Sequence, residues 1–188
     1  MPTIVHGFDW PDRVVVGTVG RPGARTFYLQ ARDGRRVVSV ALEKEQSAVL
    51  AHKIDEILDE VRRVEGNPAS VPETTPEELV DHAPLDQPVE AEFRVGALSL
   101  GWDPSTAQVV VEAYPLADPG DDDLDVDLDA DDAVEPVEMM TLRLPVGTAR
   151  AFAARTLEVV GAGRPLCPLC GAPMDPEGHV CAVPGDSW

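Results

Sequence analysis

Two kinds of hydrophobic periodicity follow one another along the chain. In the first 42 residues, β-branched and aromatic residues alternate with polar ones or form short runs, and turn signals such as GRPG and RDGR separate these runs. From Glu43 onward, apolar residues recur every three or four positions until the sequence GNP at 66–68. The pattern predicts strands joined by tight turns, followed by a helix of about 20 residues with one apolar face.

The same order returns in the second half of the chain. Three further strand patterns precede a second helical pattern, which ends at Gly161. Residues 38–58 align with residues 140–160 without a gap, and apolar positions such as Leu42 and Leu144 coincide. We therefore predict an α+β fold in which duplicated βββα units form an antiparallel sheet covered by two helices. Chance similarity between two amphipathic stretches is the alternative.

Composition divides the chain into a main domain and a short tail. We place the α+β domain at residues 1–163, with repeat halves at about 1–65 and 91–163. The proline-rich residues 66–90 are interpreted as a linker between the halves. Residues 164–188 form a tail with five prolines and few large apolar side chains, so this tail cannot build a hydrophobic core alone.

Charge is distributed unevenly along the chain. The net charge is −19, and residues 118–135, an insertion in the second half, hold ten acids and no base. This sign argues against nucleic-acid binding, because phosphate binding needs basic side chains. The insertion lacks the glycine and the terminal glutamate of an EF-hand calcium loop. We interpret it as a solvated, mobile loop, with docking of a basic partner protein as the alternative.

The chain carries no signal for a membrane or for export. No apolar run approaches the roughly 18–20 residues that span a bilayer. The first residues, MPTIVHGFDWPDR, lack the basic and apolar regions of a secretion signal. We therefore expect a cytoplasmic protein without membrane association. In that compartment, three closely spaced cysteines indicate a metal site rather than disulfides.

The sequence CPLCGAPMDPEGHVC, residues 167–181, contains all three cysteines and one histidine. Cys167 and Cys170 have the two-residue spacing of a metal-binding turn, and His179 and Cys181 leave the same face of an extended segment. Three thiolates and one imidazole form a closed tetrahedral set, which suits structural Zn²⁺. We predict that zinc orders the tail, since metal binding supplies folding free energy on the order of 10 kcal/mol or more.

Three alternatives to this zinc site stay open. The cysteines could be reduced and unligated, Cys167 and Cys170 could form a redox-active pair, or three residues could bind a metal while His179 swings free. A redox pair usually lies at a helix N-terminus after a strand, whereas this motif follows a break at glycine and proline. A catalytic zinc keeps one position open for water, and four protein ligands leave none.

The first strands carry a second group of candidate residues. His6, Arg13, Arg21 and Arg25 could line a pocket for a small anion and supply acid or base. Surface ion pairs at the start of a strand, and a turn set by aspartate and proline, explain this region better than a pocket does. The sequence contains no phosphate-binding loop, no Ser-His-Asp order and no Rossmann fingerprint.

Four stretches of the chain resemble a known family. They are FDWPDRVVVGTVGRPGARTFYLQA, VSVALEKEQ, EFRVG and AGRPLCPLCGAPMDPEGHVC, and they are similar to an actinobacterial family of roughly this length that is known only as a domain of unknown function. The resemblance implies a C-terminal metal-like site at Cys167, Cys170, His179 and Cys181, and no established activity. The resemblance also implies a gene that tends to lie beside those of a kinase-like protein and a histidine-phosphatase-like protein, and hence a shared pathway or complex.

These observations favour a non-enzymatic binding or regulatory protein with a structural Cys3His zinc site. The prediction depends on the acidic charge, the closed metal set and the lack of a catalytic motif. It includes a protein partner, of the kinase-like or histidine-phosphatase-like kind, and excludes nucleic acid. The alternative is an enzyme that acts on a small anionic substrate through the pocket of His6, Arg13, Arg21 and Arg25.

Overall fold

The computed structural model describes residues 3–67, 69–117, 138–163 and 167–170, together with Met174, His179 and Cys181. The acidic insertion at 118–135 lies outside the described residues. Seven strands and two helices follow in chain order: β1 (Ile4–Asp9), β2 (Arg13–Val19), β3 (Thr26–Asp33), β4 (Arg36–Leu42), α1 (Lys44–Arg63), β5 (Ala91–Asp103), β6 (Gln108–Pro115), β7 (Glu138–Pro145) and α2 (Val146–Gly161). A single turn of 3₁₀-helix, Glu77–Leu79, lies between α1 and β5.

The seven strands form one mixed sheet in the order β1-β7-β6-β5-β4-β3-β2. The predicted mixed α+β class with two helices is confirmed. The prediction of an antiparallel sheet is wrong for two pairings, because β4 pairs with β5 and β1 pairs with β7 in parallel. Helix α1 connects β4 to β5, and a helical crossover returns the chain to the end of the sheet from which a parallel strand starts.

Each group of three antiparallel strands is followed by a helix. Strands β2 to β4 precede α1, and strands β5 to β7 precede α2. Positions that coincide in the sequence alignment are buried in both units, as shown by Leu42 with Leu144 and by Leu50 with Phe152. Descent of the two units from one ancestor stays a prediction.

The two edges of the sheet lie close together at one end. The edge strands are β1 and β2, and only residues 10–12 join Asp9 to Arg13. Four Cα–Cα steps span at most about 15 Å, whereas the edges of a flat seven-stranded sheet lie about 29 Å apart. The sheet is therefore strongly curled, and it turns this corner through Trp10, which has a left-handed φ of 55°.

One hydrophobic core connects the sheet with both helices. Helix α1 packs against α2 and β5, and α2 packs against β2, β6 and β7. The helices contribute side chains that are almost fully buried, including Leu50, Ile54 and Phe152, to the same cluster as the strand residues Val16 and Leu142. Among the helices of the described residues, none combines the length and the hydropathy needed to cross a bilayer.

Residues 69–90, most of the segment 66–90 that was predicted as a linker, pack against the sheet. Leu85 is buried beside Gly17, where an added Cβ would come within 2.6 Å of Leu85 Cγ. The Asp86 N–H donates to Gln30 Oε1 at 2.8 Å, and Gln30 Nε2 donates to the Asp86 carbonyl at 3.0 Å. This connecting segment is therefore part of the folded domain.

Candidate metal centre

The four predicted ligands lie together after the end of α2. The ligand atoms of Cys167, Cys170, His179 and Cys181 all lie within 4.8 Å of one another. The Cys167 side chain is buried, and the other three are half-buried. Residues from two short stretches therefore converge on one point, as the spacing in the sequence predicts.

The distances within the cluster match a metal site better than a disulfide. The Sγ atoms of Cys167 and Cys181 are 3.8 Å apart, far beyond the 2.05 Å of a disulfide bond. Two thiolates that bind one zinc ion at about 2.3 Å, across a tetrahedral angle, lie about 3.8 Å apart. The Cys170 Sγ and His179 Nε2 atoms are 3.0 Å apart and form the opposite edge of the cluster. All three cysteines are free thiols in this arrangement.

The turn at Cys167 stabilises a thiolate before any metal is considered. The backbone N–H groups of Cys170 and Leu169 donate to the Cys167 sulfur and lower the pKa of this thiol to about 6. At Cys181, a hydrogen bond donated to the Cys170 sulfur, together with burial and the nearby Cys167 charge, raises the pKa to about 11. Three sulfurs at one point therefore cannot all ionise easily without a cation to offset their mutual repulsion.

This donor set suits a closed structural site for Zn²⁺. Soft sulfur and imidazole nitrogen in a four-fold arrangement are the ligands that zinc prefers in such sites. Cys167, Cys170, His179 and Cys181 would hold the ion, which would supply folding free energy to the tail rather than an open coordination position.

Arg25 connects the main domain to the chain that leads into this centre. It donates from Nη2 to the Val159 carbonyl at 3.1 Å and from Nη1 to the Ala162 carbonyl at 3.2 Å, at the C-terminal end of α2. A cation is favourable at this position, because the last carbonyls of a helix carry partial negative charge. Its guanidinium also lies 4.9 Å from the centroid of the Phe27 ring.

The structure does not gather His6, Arg13, Arg21 and Arg25 into one pocket. His6 Nε2 lies 2.6 Å from Glu138 Oε1, whereas Arg25 caps α2. Arg21 is exposed in the turn between β2 and β3. Arg13 lines a cavity of about 370 Å³, and the other three residues are not among the described residues that line it.

Arg13 instead fixes the connecting segment. Its Nε donates to Asp81 Oδ2 at 2.6 Å, and its Nη2 donates to Asp81 Oδ1 at 3.1 Å. Arg155 of α2 reaches the same carboxylate, with Nη1 at 2.8 Å from Asp81 Oδ1. Both guanidinium groups also donate to the Ala83 carbonyl. One carboxylate thus joins the start of β2, the connecting segment and α2.

Acid is expected to weaken this junction between about pH 4 and pH 2. The hydrogen bonds from Arg13 lower the pKa of Asp81 to about 2, below the ordinary value near 3.9. A depressed pKa in the folded state contributes stability that is present above pH 4 and is lost as the pH falls towards 2. The loss is about 1–2 kcal/mol after allowance for the partial exposure of the carboxylate. Denaturant unfolding of the parent and Asp81→Asn across this range measures it.

Comparing the parent with Asp81→Asn isolates the effect of this carboxylate, because the two proteins are otherwise identical. Asp81→Asn should be less stable at neutral pH and should show a flatter pH dependence between pH 4 and 2. Glu78→Gln, an exposed neighbour in the connecting segment, serves as the control and should follow the parent curve. An unchanged slope in Asp81→Asn would contradict the role assigned to this carboxylate.

Sequence reasoning missed the acidic partners of Arg13 and of His6. Asp81 lies 68 residues from Arg13, inside a segment whose prolines and acids indicate only a linker. Glu138 lies 132 residues from His6 and borders the acidic insertion. The pairing of a strand-initial arginine with a distant acid leaves no periodic signal in one sequence.

Comparison with known families extends over nearly the whole chain. Residues 6–181, which include all four cluster residues, match the family described as a protein of unknown function, DUF3090. The chain belongs to the DUF3090 family. The resemblance seen in the sequence is thereby confirmed at the level of an uncharacterised domain family. Neither the comparison with curated proteins nor that with solved structures gave a match.

Proposed function

We propose that this DUF3090 chain is a non-enzymatic binding or regulatory protein whose Cys3His cluster holds a structural Zn²⁺. The observation that carries the proposal is the closed donor set, in which four protein ligand atoms lie within 4.8 Å of one another. A zinc ion with four protein ligands has no position for water or substrate. The metal then serves to order the tail, and the activity of the protein is to bind.

A groove between α1 and β5 is the surface that we propose for binding. It has a volume of about 650 Å³, and its walls include apolar side chains from the C-terminal half of the helix and from the far end of the strand. These are Ile57, Val61, Val64, Leu100 and Trp102. Val64, directly after α1, is 61% exposed and lies beside the other apolar side chains of the groove, so the apolar surface there is continuous.

The charge around the groove indicates the chemistry of its occupant. Glu60 and Glu65 lie in its wall, and the chain as a whole has a net charge of −19. Apolar walls with acidic neighbours complement an amphipathic segment that carries lysine or arginine beside its apolar face. The proposed partner is therefore a protein that presents a basic amphipathic segment. The kinase-like and histidine-phosphatase-like proteins implied by the family resemblance are the candidates.

The enzymatic alternative has less support from the geometry. It requires arginines that are available to an anion, but Arg13 donates to carboxylates and carbonyls of the connecting segment. Arg25 donates to the last carbonyls of α2. Actinobacterial origin and a cytoplasmic location belong to the proposal; they rest on the resemblance and on the three free, closely spaced thiols.

Two valine variants test the proposed binding surface. Val64→Glu adds a charge inside the groove, whereas Val49→Glu adds the same charge elsewhere on α1, where the side chain is 59% exposed. Tagged zinc-loaded chains would be used to capture partners from an extract of the native cells, and a captured protein would then be purified and titrated calorimetrically. We expect the affinity to fall at least about tenfold in Val64→Glu and to stay unchanged in Val49→Glu.

The proposal fails if the parent and Val49→Glu capture no common partner, or if the purified partner binds Val64→Glu as tightly as the parent. If neither removal of the zinc nor either valine substitution changes the affinity for the partner, the partner binds at another surface of the chain. Turnover of a small anionic substrate by the purified protein would favour the enzymatic alternative.

A further inference from the structure

A second group of metal-ligating side chains lies far from the cysteines in sequence. His6 on β1, Glu92 on β5 and Glu138 at the start of β7 place one imidazole nitrogen and two carboxylate oxygens within 4.8 Å of one another. The Nε2 atom of His6 and the Oε1 atom of Glu138 are 2.6 Å apart. No cysteine takes part in this group.

Two of these strands, β1 and β7, are neighbours in the sheet, and β6 lies between β7 and β5. In the parallel pairing of β1 with β7, Ile4 lies opposite Glu138 and His6 lies opposite Met140. Strand alternation places His6 on the same face as the buried Phe8, and Glu138 on the same face as the buried Met140. Both side chains therefore point to the core side at one end of the sheet. Their exposed fractions are only 15% and 24%, whereas Glu92, next to the buried Phe93 on β5, is exposed.

The charges of this group are not balanced by a strong base. Among the described residues, neither Glu92 nor Glu138 forms an ion pair with lysine or arginine; the recorded partner of Glu138 is His6. The sequence from 118 to 142, which leads into and through the start of β7, contains no basic residue at all. Two carboxylates within 5 Å of each other repel unless a positive charge lies between them.

We propose that His6, Glu92 and Glu138 form a site for a divalent first-row cation, separate from the zinc centre. Imidazole nitrogen combined with carboxylate oxygen suits Mn²⁺ and related cations, whereas the cysteine-rich centre suits Zn²⁺. Three protein ligands leave further coordination positions to water or to an oxygen atom of a bound molecule. The site goes beyond the proposed binding function, which does not depend on it.

Manganese separates the two metal sites experimentally, since thiolate-rich sites favour softer ions. Full-length protein loaded with one equivalent of Zn²⁺, so that only the cysteine-rich centre is filled, would be titrated with Mn²⁺, and the free ion measured by electron paramagnetic resonance. We expect one saturable site in the parent and at least about tenfold weaker binding in His6→Ala and in Glu138→Gln. His82→Ala is the matched control, because His82 also faces a glutamate, Glu158 at 3.6 Å, on an exposed surface. It should bind Mn²⁺ like the parent.

A second measurement decides the question even if a variant does not fold. Bound Mn²⁺ should broaden the imidazole NMR signals of His6 in the parent and leave those of His52 and His82 sharp. Two results would overturn the proposal and assign the Mn²⁺ binding to other acidic residues. One is NMR broadening confined to residues other than His6. The other is an equal Mn²⁺ affinity in the parent, His6→Ala and Glu138→Gln. If the parent shows no saturable Mn²⁺ binding, the proposal is wrong, and His6 and Glu138 form only an ordinary histidine–glutamate contact.

Discussion

Replacing Cys170 by serine is expected to remove the bound zinc and to expose the C-terminal tail to proteases. Cys170 Sγ faces His179 Nε2 at 3.0 Å and is one of four donors in the cluster, so the variant leaves only three. A structural zinc ion supplies apparent binding free energy of about 10–16 kcal/mol, and a chain that needs this energy to fold loses its order without it. The parent should contain one zinc per chain by elemental analysis, and the variant almost none.

The main domain should stay folded in this variant. Its hydrophobic core is built from strand and helix residues such as Leu29, Ile54 and Leu142, and these lie outside the cysteine cluster. Limited proteolysis should therefore remove the tail and leave a resistant fragment that ends near residue 163. Met174→Leu, a change in the same tail at a residue outside the donor set, is the control and should keep its zinc. A parent that is metal-free yet protease-resistant up to Cys181 would contradict the structural role of the metal.

The second large effect is expected at Arg150, an arginine of α2 that is only 6% exposed. Its Nη1 donates to Asp55 Oδ1 at 2.7 Å, its Nη2 donates to Asp59 Oδ1 at 2.8 Å, and its Nε donates to the Pro72 carbonyl at 3.2 Å. Arg150→Ala leaves two carboxylates of α1 and one carbonyl without their partner. We expect a loss of about 3 kcal/mol in the free energy of unfolding, the lower end for broken buried pairs, since both carboxylates keep partial contact with solvent.

Denaturant unfolding followed by circular dichroism measures this loss. Arg62→Ala is the matched control, because Arg62 forms a single, exposed pair with Glu73, and its removal should cost less than about 1 kcal/mol. A triple variant, Arg150→Met with Asp55→Ala and Asp59→Ala, removes all three charges together and should recover part of the stability. If Arg150→Ala and Arg62→Ala lower the free energy of unfolding equally, burial does not make the ion pairs of Arg150 more stabilising than an exposed pair.

Local periodicity in the sequence is sufficient to predict most of the elements. The three- and four-residue repeat after Glu43 predicts a helix of about 20 residues, and α1 runs from Lys44 to Arg63. The Asp-Gly sequence between two β-rich runs predicts the β3–β4 hairpin; its two-residue turn is Gly34 and Arg35, one position later than Asp-Gly, and Gly34 takes the positive φ of 57°. These features depend on neighbours within a few residues, so one sequence contains the whole signal.

The closeness of the four cysteine and histidine side chains could also be predicted from spacing. Cys167 and Cys170 lie in one turn, and His179 and Cys181 follow within eleven residues of Cys170, so a short loop suffices to bring them together. The thiol and imidazole donors themselves indicate the chemistry, since their softness and number suit zinc. The fold contributes the anchor at Arg25 and the burial of Cys167, which the sequence did not indicate.

The amino-acid sequence alone thus determined six of the seven strands, the two helices, the closeness of the four cysteine and histidine side chains and the strongly acidic character of the chain, whereas β1 was not predicted as a separate strand. The tertiary structure alone decided the order of the strands in the sheet and hence every contact between distant residues. Arg13 meets Asp81, Arg150 meets Asp55, and His6 meets Glu138 across 68, 95 and 132 residues of chain. Such pairs leave no periodic pattern in the sequence. The curl of the sheet and the position of each strand within it decide which residues face one another.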